Sequence, residues 1–280
     1  MEPMTIVNDI IALMESVAPQ SLAESWDNSG LQCGSRTWPV KHIVVALDPS
    51  LSVVKTACEK KADLLITHHP LIFQAIKNII LDSPVGEIID LSIRNRLAIF
   101  SAHTNLDSVK GGLNDLFAEK LGLRNLNFLE PATEIADGAH LLHAIEGQHG
   151  LGRVGELASP SSLGALAETI KKTFGLATLK ISGSLNMPVK KIAVCTGSGS
   201  GLMKQFLSTD ADVYVSGDLK FHDAKDVETH HRALIDVGHF ASEQLMIDLI
   251  AGRLATRFKE KDLDVTVEAL RVESDPFQYI

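Results

Sequence analysis

The chain has 280 residues, of which 45% are hydrophobic and 22% are charged, a composition typical of a globular protein with a sizeable core. The formal net charge of -9 at pH 7 argues against a broad basic surface, so nucleic acid is not an expected partner. No apolar run approaches the length of a membrane span, and no membrane association is expected.

The three cysteines suggest a reducing compartment. Cys33, Cys58 and Cys195 are far apart and form neither a CxxC zinc pattern nor a disulfide framework. The first twenty residues contain no Lys or Arg and so lack the positive start of a secretory signal. We therefore predict a cytoplasmic location.

Apolar patterns in the first half predict alternating helices and strands. We expect a first amphipathic helix that ends near Pro19. We then expect strands over 42–47, 62–67 and 97–103, and helices over 49–61 and around 84–94. Short apolar strands that alternate with helices are typical of an α/β fold with buried, largely parallel strands.

The second half repeats part of this pattern. VKHIVVALD begins at Val40 and VKKIAVCTG at Val189, while ADLLITHH begins at Ala62 and ADVYVSGD at Ala211. Each second copy lies 149 positions after the first (189 - 40 and 211 - 62). Equal spacing of Val-Lys and Ala-Asp is harder to obtain by chance than similar strands alone.

A later pair of segments extends the repeat. RLAIFSAHTNLD (96–107) resembles RALIDVGHFASE (232–243) at an offset of 136 (232 - 96). We interpret these matches as an internal duplication. The predicted fold has two α/β units, 1–126 and 127–280, with largely parallel mixed sheets flanked by helices. Whether the C-terminal strand returns to the first unit is left open.

Histidines follow several of the predicted strands. His68 and His69 follow ADLLIT, His103 follows AIFSA, and His239 follows LIDVG. In open α/β sheets, ligands bind at the carboxyl ends of the strands. Neighbouring histidines on an extended segment point to opposite sides, so they suit one ion each of a metal pair better than one shared ion.

Two of these histidines precede a carboxylate by four residues. His103 is followed by Asp107, and His239 by Glu243. A single His-x-x-x-acid element is common as a solvated pair on a helix, but several such elements at strand ends are more specific. Imidazole and carboxylate are good ligands for zinc, iron and manganese. A bridging carboxylate would hold two ions about 3.5–4 Å apart, as in two-metal hydrolytic sites.

Longer motifs in combination resemble a known family. They are AESWDNSGLQCG (23–34), ADLLITHHPLIF (62–73), SAHTNLD (101–107), GLGRVGEL (150–157), SGDLKFHDA (216–224) and DVGHFASE (236–243). Together they resemble the NIF-three-like family, whose members are often called GTP cyclohydrolase 1 type 2 homologues. The likeness runs from the first helix to the DPFQYI tail. The short connection between the two halves matches the short form of the family, without the inserted domain that some members carry.

The resemblance implies a dinuclear metal centre with two divalent transition-metal ions per chain, either zinc, iron or manganese. The implied ligands are His68, His69, Asp107, His239 and Glu243, with Glu243 as the bridging ligand and the residue given a catalytic role. The resemblance also implies a homo-oligomer, a toroidal hexamer built as a trimer of dimers.

Three further residues are predicted to contact ligands or substrate. His103 and His222 are expected to orient ligands or to hold substrate, and a purely structural role stays open for both. Asp27 lies in WDNSG, a predicted turn that the resemblance places near the metal cleft. The turn TGSGSG (196–201) could cradle phosphate, but it is neither GxGxxG nor a P-loop, and a tight turn is favoured.

The leading functional hypothesis is a metal-dependent hydrolase that opens the guanine ring of GTP and releases formate. The substrate depends on the resemblance, because the sequence contains no guanine-reading motif. The same ligands would also suit phosphoester or amide hydrolysis. The alternative is a metal-handling or regulatory ring without turnover, and a third possibility is a scaffold that binds protein or nucleic acid.

Overall fold

The computed structural model describes residues 4–132 and 149–278. Their contacts group into two compact units. The first extends to Leu106 and also contains Met246–Ser274, and the second contains Asp107–Leu245 and the residues from Asp275 onward. The predicted division at residue 126 follows chain order, whereas these units do not, because Met246–Ser274 packs with the first unit.

Helices and short strands alternate along most of the described chain. The helices are α1 Val7–Val17, α2 Leu51–Glu59, α3 Pro84–Asn95, α4 Thr104–Ser108, α5 Leu113–Lys120, α6 Leu163–Phe174, α7 Met203–Ser208, α8 Phe221–Thr229, α9 His239–Glu243 and α10 Leu245–Glu260. The strands are β1 Gly30–Cys33, β2 His42–Val45, β3 Leu64–Thr67, β4 Ala98–Ser101, β5 Arg124–Pro131, β6 Gly150–Ser162, β7 Lys180–Ser182, β8 Pro188–Ser198, β9 Val213–Gly217, β10 Ala233–Asp236 and β11 Thr266–Ala269. The helices and strands predicted in the first half are confirmed.

The first unit contains a five-stranded sheet in the order β1-β4-β3-β2-β11. The strands β4, β3, β2 and β11 are parallel, and β1 is antiparallel to β4 at the edge. One face of this sheet packs against α2 and α3 through residues such as Val53, Ile88 and Leu65. The side chains of Ser50 and Ser83 cap the starts of these two helices.

The second unit contains a six-stranded sheet in the order β5-β6-β8-β9-β10-β7. Here β8, β9 and β10 are parallel, whereas β5, β6 and β7 each enter through antiparallel pairing. Two hydrophobic core clusters, one with Ile170 of α6 and one with Phe206 of α7, contain residues from neighbouring strands of this sheet. Both sheets are therefore mixed and flanked by helices, which confirms the predicted α/β class.

The proposed duplication agrees with the register of the parallel strands. Val44 of β2 pairs with Leu65 of β3, and Ala193 of β8 pairs with Tyr214 of β9. Both residues of the second pair lie 149 positions after those of the first (193 - 44 and 214 - 65). Two strands of each unit therefore share the same register as well as similar residues.

The repeated Ala-Asp dipeptide has the same local role in both units. Asp63 Oδ2 accepts hydrogen bonds from the backbone amides of Lys41 and the next residue, at 2.8 and 3.0 Å. Asp212 Oδ2 accepts the equivalent pair from Lys190 and the next residue, at 2.7 and 2.8 Å. Each aspartate thereby fixes the start of one strand against the start of the next.

The third strand of each repeat is β4 in the first unit and β10 in the second. Their pairing shows that the offset of 136 predicted from the sequence is one residue too large for the strands. Leu64 pairs with Ala98, and Val213 pairs with Ala233, so the strands themselves match at an offset of 135 (233 - 98). Gly238 is the additional residue in the second copy, and its φ of +86° is in the left-handed region. His103 and His239 therefore do not occupy equivalent positions relative to their strands.

Among the helices in the described ranges, none combines the length and apolar character needed to cross a membrane. The expected cytoplasmic location stays a prediction.

Candidate metal centre

In the first unit, the adjacent histidines directly follow the buried strand β3. His68 is fully buried, and its backbone amide donates to the carbonyl of Leu47 at 3.0 Å. The amide of His69 donates to the same carbonyl at 3.2 Å. Both histidines are thereby tied to the segment that follows β2, so their backbone is fixed before any ligand binds.

Hydrogen bonds also fix the two rings. Nδ1 of His68 lies 2.8 Å from the carbonyl oxygen of Ala102, which can only accept a hydrogen bond, so Nδ1 carries the proton. Nδ1 of His69 lies 2.7 Å from Oδ1 of Asp48. A proton on Nδ1 leaves the lone pair on Nε2, and carboxylate or carbonyl partners of this type orient metal-binding histidines.

A half-buried glutamate holds the segment that carries Asp48. The carboxylate of Glu273 accepts hydrogen bonds from the amides of Leu47 at 3.0 Å and Asp48 at 3.1 Å. Burial raises the pKa of Glu273, and these two amide hydrogen bonds act in the opposite direction. Glu273 was not singled out from the sequence, and it supports the segment that contacts both histidines.

His103 lies in the same cluster as the adjacent histidines. One ring nitrogen from each of His68, His69 and His103 can be chosen so that all three lie within 4.8 Å of one another, a spacing that could hold a metal ion. The ring centroid of His103 is 5.1 Å from that of His68 and 5.5 Å from that of His69. His103 was predicted to have a supporting role, and this position also places it among the residues that could bind metal.

Asp27 orients His103. Oδ1 of Asp27 lies 2.8 Å from Nδ1 of His103, and Oδ2 accepts hydrogen bonds from the hydroxyl groups of Thr104 at 2.5 Å and Ser29 at 2.9 Å. Burial raises the pKa of Asp27. The hydrogen bonds, led by that from His103, outweigh burial and hold the pKa well below its usual range. Asp27 is thus ionised and fixed.

In the second unit, His239 and Glu243 lie one helical turn apart on α9. Nε2 of His239 is 2.8 Å from Oε2 of Glu243, and Nδ1 of the same ring is 2.8 Å from Oδ2 of Asp218. A neutral ring can donate a proton to only one of these carboxylates. The ring is therefore either doubly protonated, or its Nε2 lone pair faces the Glu243 oxygen, an arrangement that suits a shared cation.

Two carboxylates of the second unit are buried. Glu243 is 3% exposed and Asp107 is 8% exposed. Burying a carboxylate is costly unless a cation or hydrogen bonds compensate for the lost water. Oδ1 of Asp107 accepts a hydrogen bond from the hydroxyl of Thr196 at 3.2 Å. The donor chemistry of these residues fits a transition-metal ion.

The glycine-rich segment approaches both carboxylates. Thr196 contacts Asp107, and the next residue, Gly197, faces Glu243. The amide of Gly197 donates to the hydroxyl of Ser242 at 2.9 Å, which fixes the strand end against α9. β8 extends to Ser198, so Gly197 belongs to the strand end, before the 3₁₀ turn Gly199–Leu202.

Two further residues of the second unit are Cys195, which was not predicted to belong to the site, and His222, which was. Cys195 is buried beside this segment, and burial, with smaller contributions from the charges of Asp107 and Glu243, raises the pKa of its thiol far above the usual range. His222 is exposed on α8, with its ring 5.5 Å from that of Phe221. Its predicted role in substrate binding stays a prediction.

The fold and these clusters define an α/β protein with histidine and carboxylate groups that could bind metal. The family model described as Duf34/NIF3 (NGG1p interacting factor 3) matches residues 5–276, and the chain belongs to this family. The family predicted from the sequence motifs is therefore confirmed.

Individual relatives match over nearly the whole chain. A Clostridium perfringens protein named GTP cyclohydrolase 1 type 2 homolog is 34% identical, with 98% of this chain and 99% of the relative covered. A Bacillus cereus protein related to NIF3 has a crystal structure with a TM-score of 0.91 at 28% identity, and 100% of both chains is covered.

One longer relative illustrates the two forms of the family. The GTP cyclohydrolase 1 type 2 homolog of Halalkalibacterium halodurans is 28% identical over 365 aligned residues, with 97% of this chain and 98% of the relative covered. Because the alignment is longer than this chain, that relative contains sequence that is absent here. This supports the short form predicted for the chain.

Proposed function

We propose that the chain binds two divalent transition-metal ions and acts as a metal-dependent hydrolase. The proposed ligands are His68, His69, Asp107, His239 and Glu243, with Glu243 as the bridge. The single observation that carries the proposal is the position of Nε2 of His239, 2.8 Å from a buried Glu243 oxygen while Nδ1 faces Asp218. When the ring is neutral, Nε2 and this oxygen are both acceptors, and a cation bound to both would remove their repulsion.

The surrounding residues support this role by fixing protons. Ala102 and Asp48 hold the Nδ1 protons of His68 and His69, so that Nε2 of each ring presents its lone pair. Carboxylate and imidazole donors suit zinc, iron or manganese. When bound, such ions lower the pKa of water and stabilise negative charge that develops on a substrate.

The proposed substrate is a nucleotide, and GTP is the first one to test because the relatives are named GTP cyclohydrolase 1 type 2 homologs. In that reaction one water opens the guanine ring at C8, and a second water releases C8 as formate. Asp27 holds the Nδ1 proton of His103, so Nε2 of this ring can accept a proton or a hydrogen bond from substrate or water.

The test measures metal content and formate release on the same samples across pH. Metal occupancy should fall as pH drops below neutrality, because protons compete for imidazoles whose unperturbed pKa is about 6.5. Formate release should rise with pH through the range near 7 while the ions stay bound. Full occupancy without formate at any pH would reject GTP hydrolysis and favour a metal-handling role without turnover.

Ligand variants test the number of ions. Glu243→Gln should lower the content of both ions, since a bridging ligand serves both, whereas His69→Ala should lower mainly one. Elemental analysis after reconstitution with zinc, iron and manganese measures both effects. One ion or none in the unmodified chain would contradict the dinuclear centre.

We further propose a homo-oligomer, with a hexamer built as a trimer of dimers as the expected state. This assembly is proposed from the family resemblance. Sedimentation velocity at micromolar concentration should give a mass about six times that of the 30.3 kDa chain. A monomer under these conditions would contradict the proposal.

A further inference from the structure

Two large aromatic side chains of the first unit are exposed side by side. Trp26 is 58% exposed and Phe73 is 52% exposed, and their ring centroids are 5.9 Å apart with an interplanar angle of 61°. Aromatic rings usually bury most of their surface, and exposed apolar groups that lie together often mark a binding site. The two inclined rings form an open aromatic corner, defined here as Trp26 and Phe73.

The aromatic corner lies against the histidine cluster. The ring of His103 is 6.1 Å from Trp26 and 6.2 Å from Phe73, in edge-to-face geometry with both. His103 in turn contacts the rings of His68 and His69 at 5.1 and 5.5 Å. A molecule held by the corner would therefore be placed beside the residues assigned to the metal centre.

Hydrogen bonds hold the two sides of the corner together. Nδ2 of Asn28, two residues after Trp26, donates to the carbonyl of Ile72 at 2.6 Å. The amide of Ile72 donates to Oε1 of Gln32 at 3.2 Å. The segment after Trp26 is thus joined to the residue before Phe73. A platform that is fixed before binding loses little conformational freedom when a ligand arrives.

The geometry points to the aromatic corner as the binding site for the planar base of a nucleotide or nucleoside. This inference deepens the proposed function, on which it rests for the choice of a purine. Each ring of the corner presents a π face for stacking, and His103 offers a ring edge for a polar contact. Stacking of a base on an aromatic side chain typically changes affinity about fivefold or more on alanine substitution.

The test uses Trp26 as its own reporter. The chain contains two tryptophans, so a Trp38→Phe background leaves Trp26 as the single tryptophan fluorophore. Guanosine should quench its fluorescence saturably, whereas ribose 5-phosphate, which lacks a base, should not. Formate release from GTP is measured on the same protein preparations, so binding and turnover are scored separately. Equilibrium dialysis of guanosine with the unmodified chain repeats the measurement without any substitution.

Variants separate stacking from a general structural effect. Phe73→Ala should weaken guanosine binding about fivefold or more, and Phe73→Tyr should retain it. Trp26→Phe, measured by dialysis, should bind more tightly than Trp26→Ala. Phe277→Ala is the matched control, because Phe277 is an exposed phenylalanine of the other unit, at 71%. This control should bind guanosine as the unmodified chain does.

Several results would overturn the inference. These are no saturable response to guanosine, an equal response to ribose 5-phosphate, or a response to tetramethylammonium alone, which would indicate a cation site. Ligand-free fluorescence that changes with protein concentration, with no response to guanosine, would show that a second copy covers the corner. Guanosine binding without formate release from GTP would retain the inference and reject GTP ring opening. Formate release from GTP with an unchanged KM in Phe73→Ala would support the hydrolase and overturn the inference.

Discussion

Gly197 and Glu243 approach each other so closely that no other residue fits at position 197 without a rearrangement. A Cβ built on Gly197 would lie 2.0 Å from Oε1 of Glu243, and the φ of Gly197 is +66°. Contacts shorter than 3.0 Å essentially never occur for a Cβ, and this φ is unfavourable for L side chains. The glycine therefore permits the position of the carboxylate proposed to bridge the two ions.

Gly197→Ala should displace Glu243 and lower the affinity for metal. We expect at least about a tenfold loss, comparable to disturbing a residue that orients a ligand. Isothermal titration with zinc measures the effect. Gly201→Ala is the matched control from the same glycine-rich segment, because a Cβ there would meet no atom within 4 Å. Equal zinc affinity in both variants would contradict the role of Gly197.

Asp48→Asn should weaken metal binding without unfolding the chain. Oδ1 of Asp48 lies 2.7 Å from Nδ1 of His69, and loss of its charge makes the imidazole a poorer ligand. Losses of about 10- to 100-fold in metal affinity are typical for such partners. Asp90→Asn, at a surface pair with Arg94, serves as the control and should leave affinity unchanged. An unchanged affinity in Asp48→Asn would show that this hydrogen bond does not tune His69.

Asp27 should stabilise the fold in a pH-dependent manner. Its pKa is lowered in the folded state, where hydrogen bonds to the charged form outweigh burial, so the unfolded chain takes up the proton first as pH falls. The stabilisation is therefore fully present above the unfolded pKa of about 3.9 and is lost progressively below it.

Denaturant unfolding of the unmodified chain and of Asp27→Asn measures this contribution. The variant should be less stable by about 2 kcal/mol at pH 7, the usual size for hydrogen bonds to a charged group. The difference should shrink as pH falls from 4 to 2. Asp82→Asn, at an exposed position, should show no comparable difference. A difference in the free energy of unfolding between Asp27→Asn and the unmodified chain that grows as pH falls would contradict the lowered pKa of Asp27.

Arg153 forms a buried ion pair that should be essential for stability. It is 1% exposed, and its Nε and Nη2 donate to Oδ2 of Asp115 at 2.8 and 2.5 Å. Nη1 also donates to the carbonyls of Gly150 and Gly152, both at 2.8 Å. Arg153→Met removes all of these donors and leaves Asp115 without this cationic partner.

The expected cost of Arg153→Met is about 3–5 kcal/mol in the free energy of unfolding, as for other broken buried ion pairs. Arg94→Met, which breaks an exposed pair with Asp90, should cost at most about 1 kcal/mol. Chemical denaturation measures both. The double substitution Arg153→Met with Asp115→Leu should recover part of the loss, since it removes the buried charge. No recovery would show that the backbone hydrogen bonds of Arg153 dominate.

Local patterns were sufficient to predict the fold class and several candidate ligands. Hydrophobic runs of four to six residues identified β2, β3 and β4, because buried parallel strands are apolar on both faces. The position of His68 and His69 after β3 followed from the same pattern. The short edge strands β1 and β7 could not be predicted, since they carry little apolar periodicity.

The support around the histidines was decided by tertiary structure. Asp48 precedes His69 by 21 residues, Asp27 precedes His103 by 76, and Glu273 lies 226 residues after Leu47, whose amide it binds. Such contacts leave no local periodicity in the sequence, because each requires strands and loops that are distant in the chain to pack first. The residue types alone indicated metal chemistry, whereas the folded chain determined which ring nitrogen carries the proton and which carboxylate is buried.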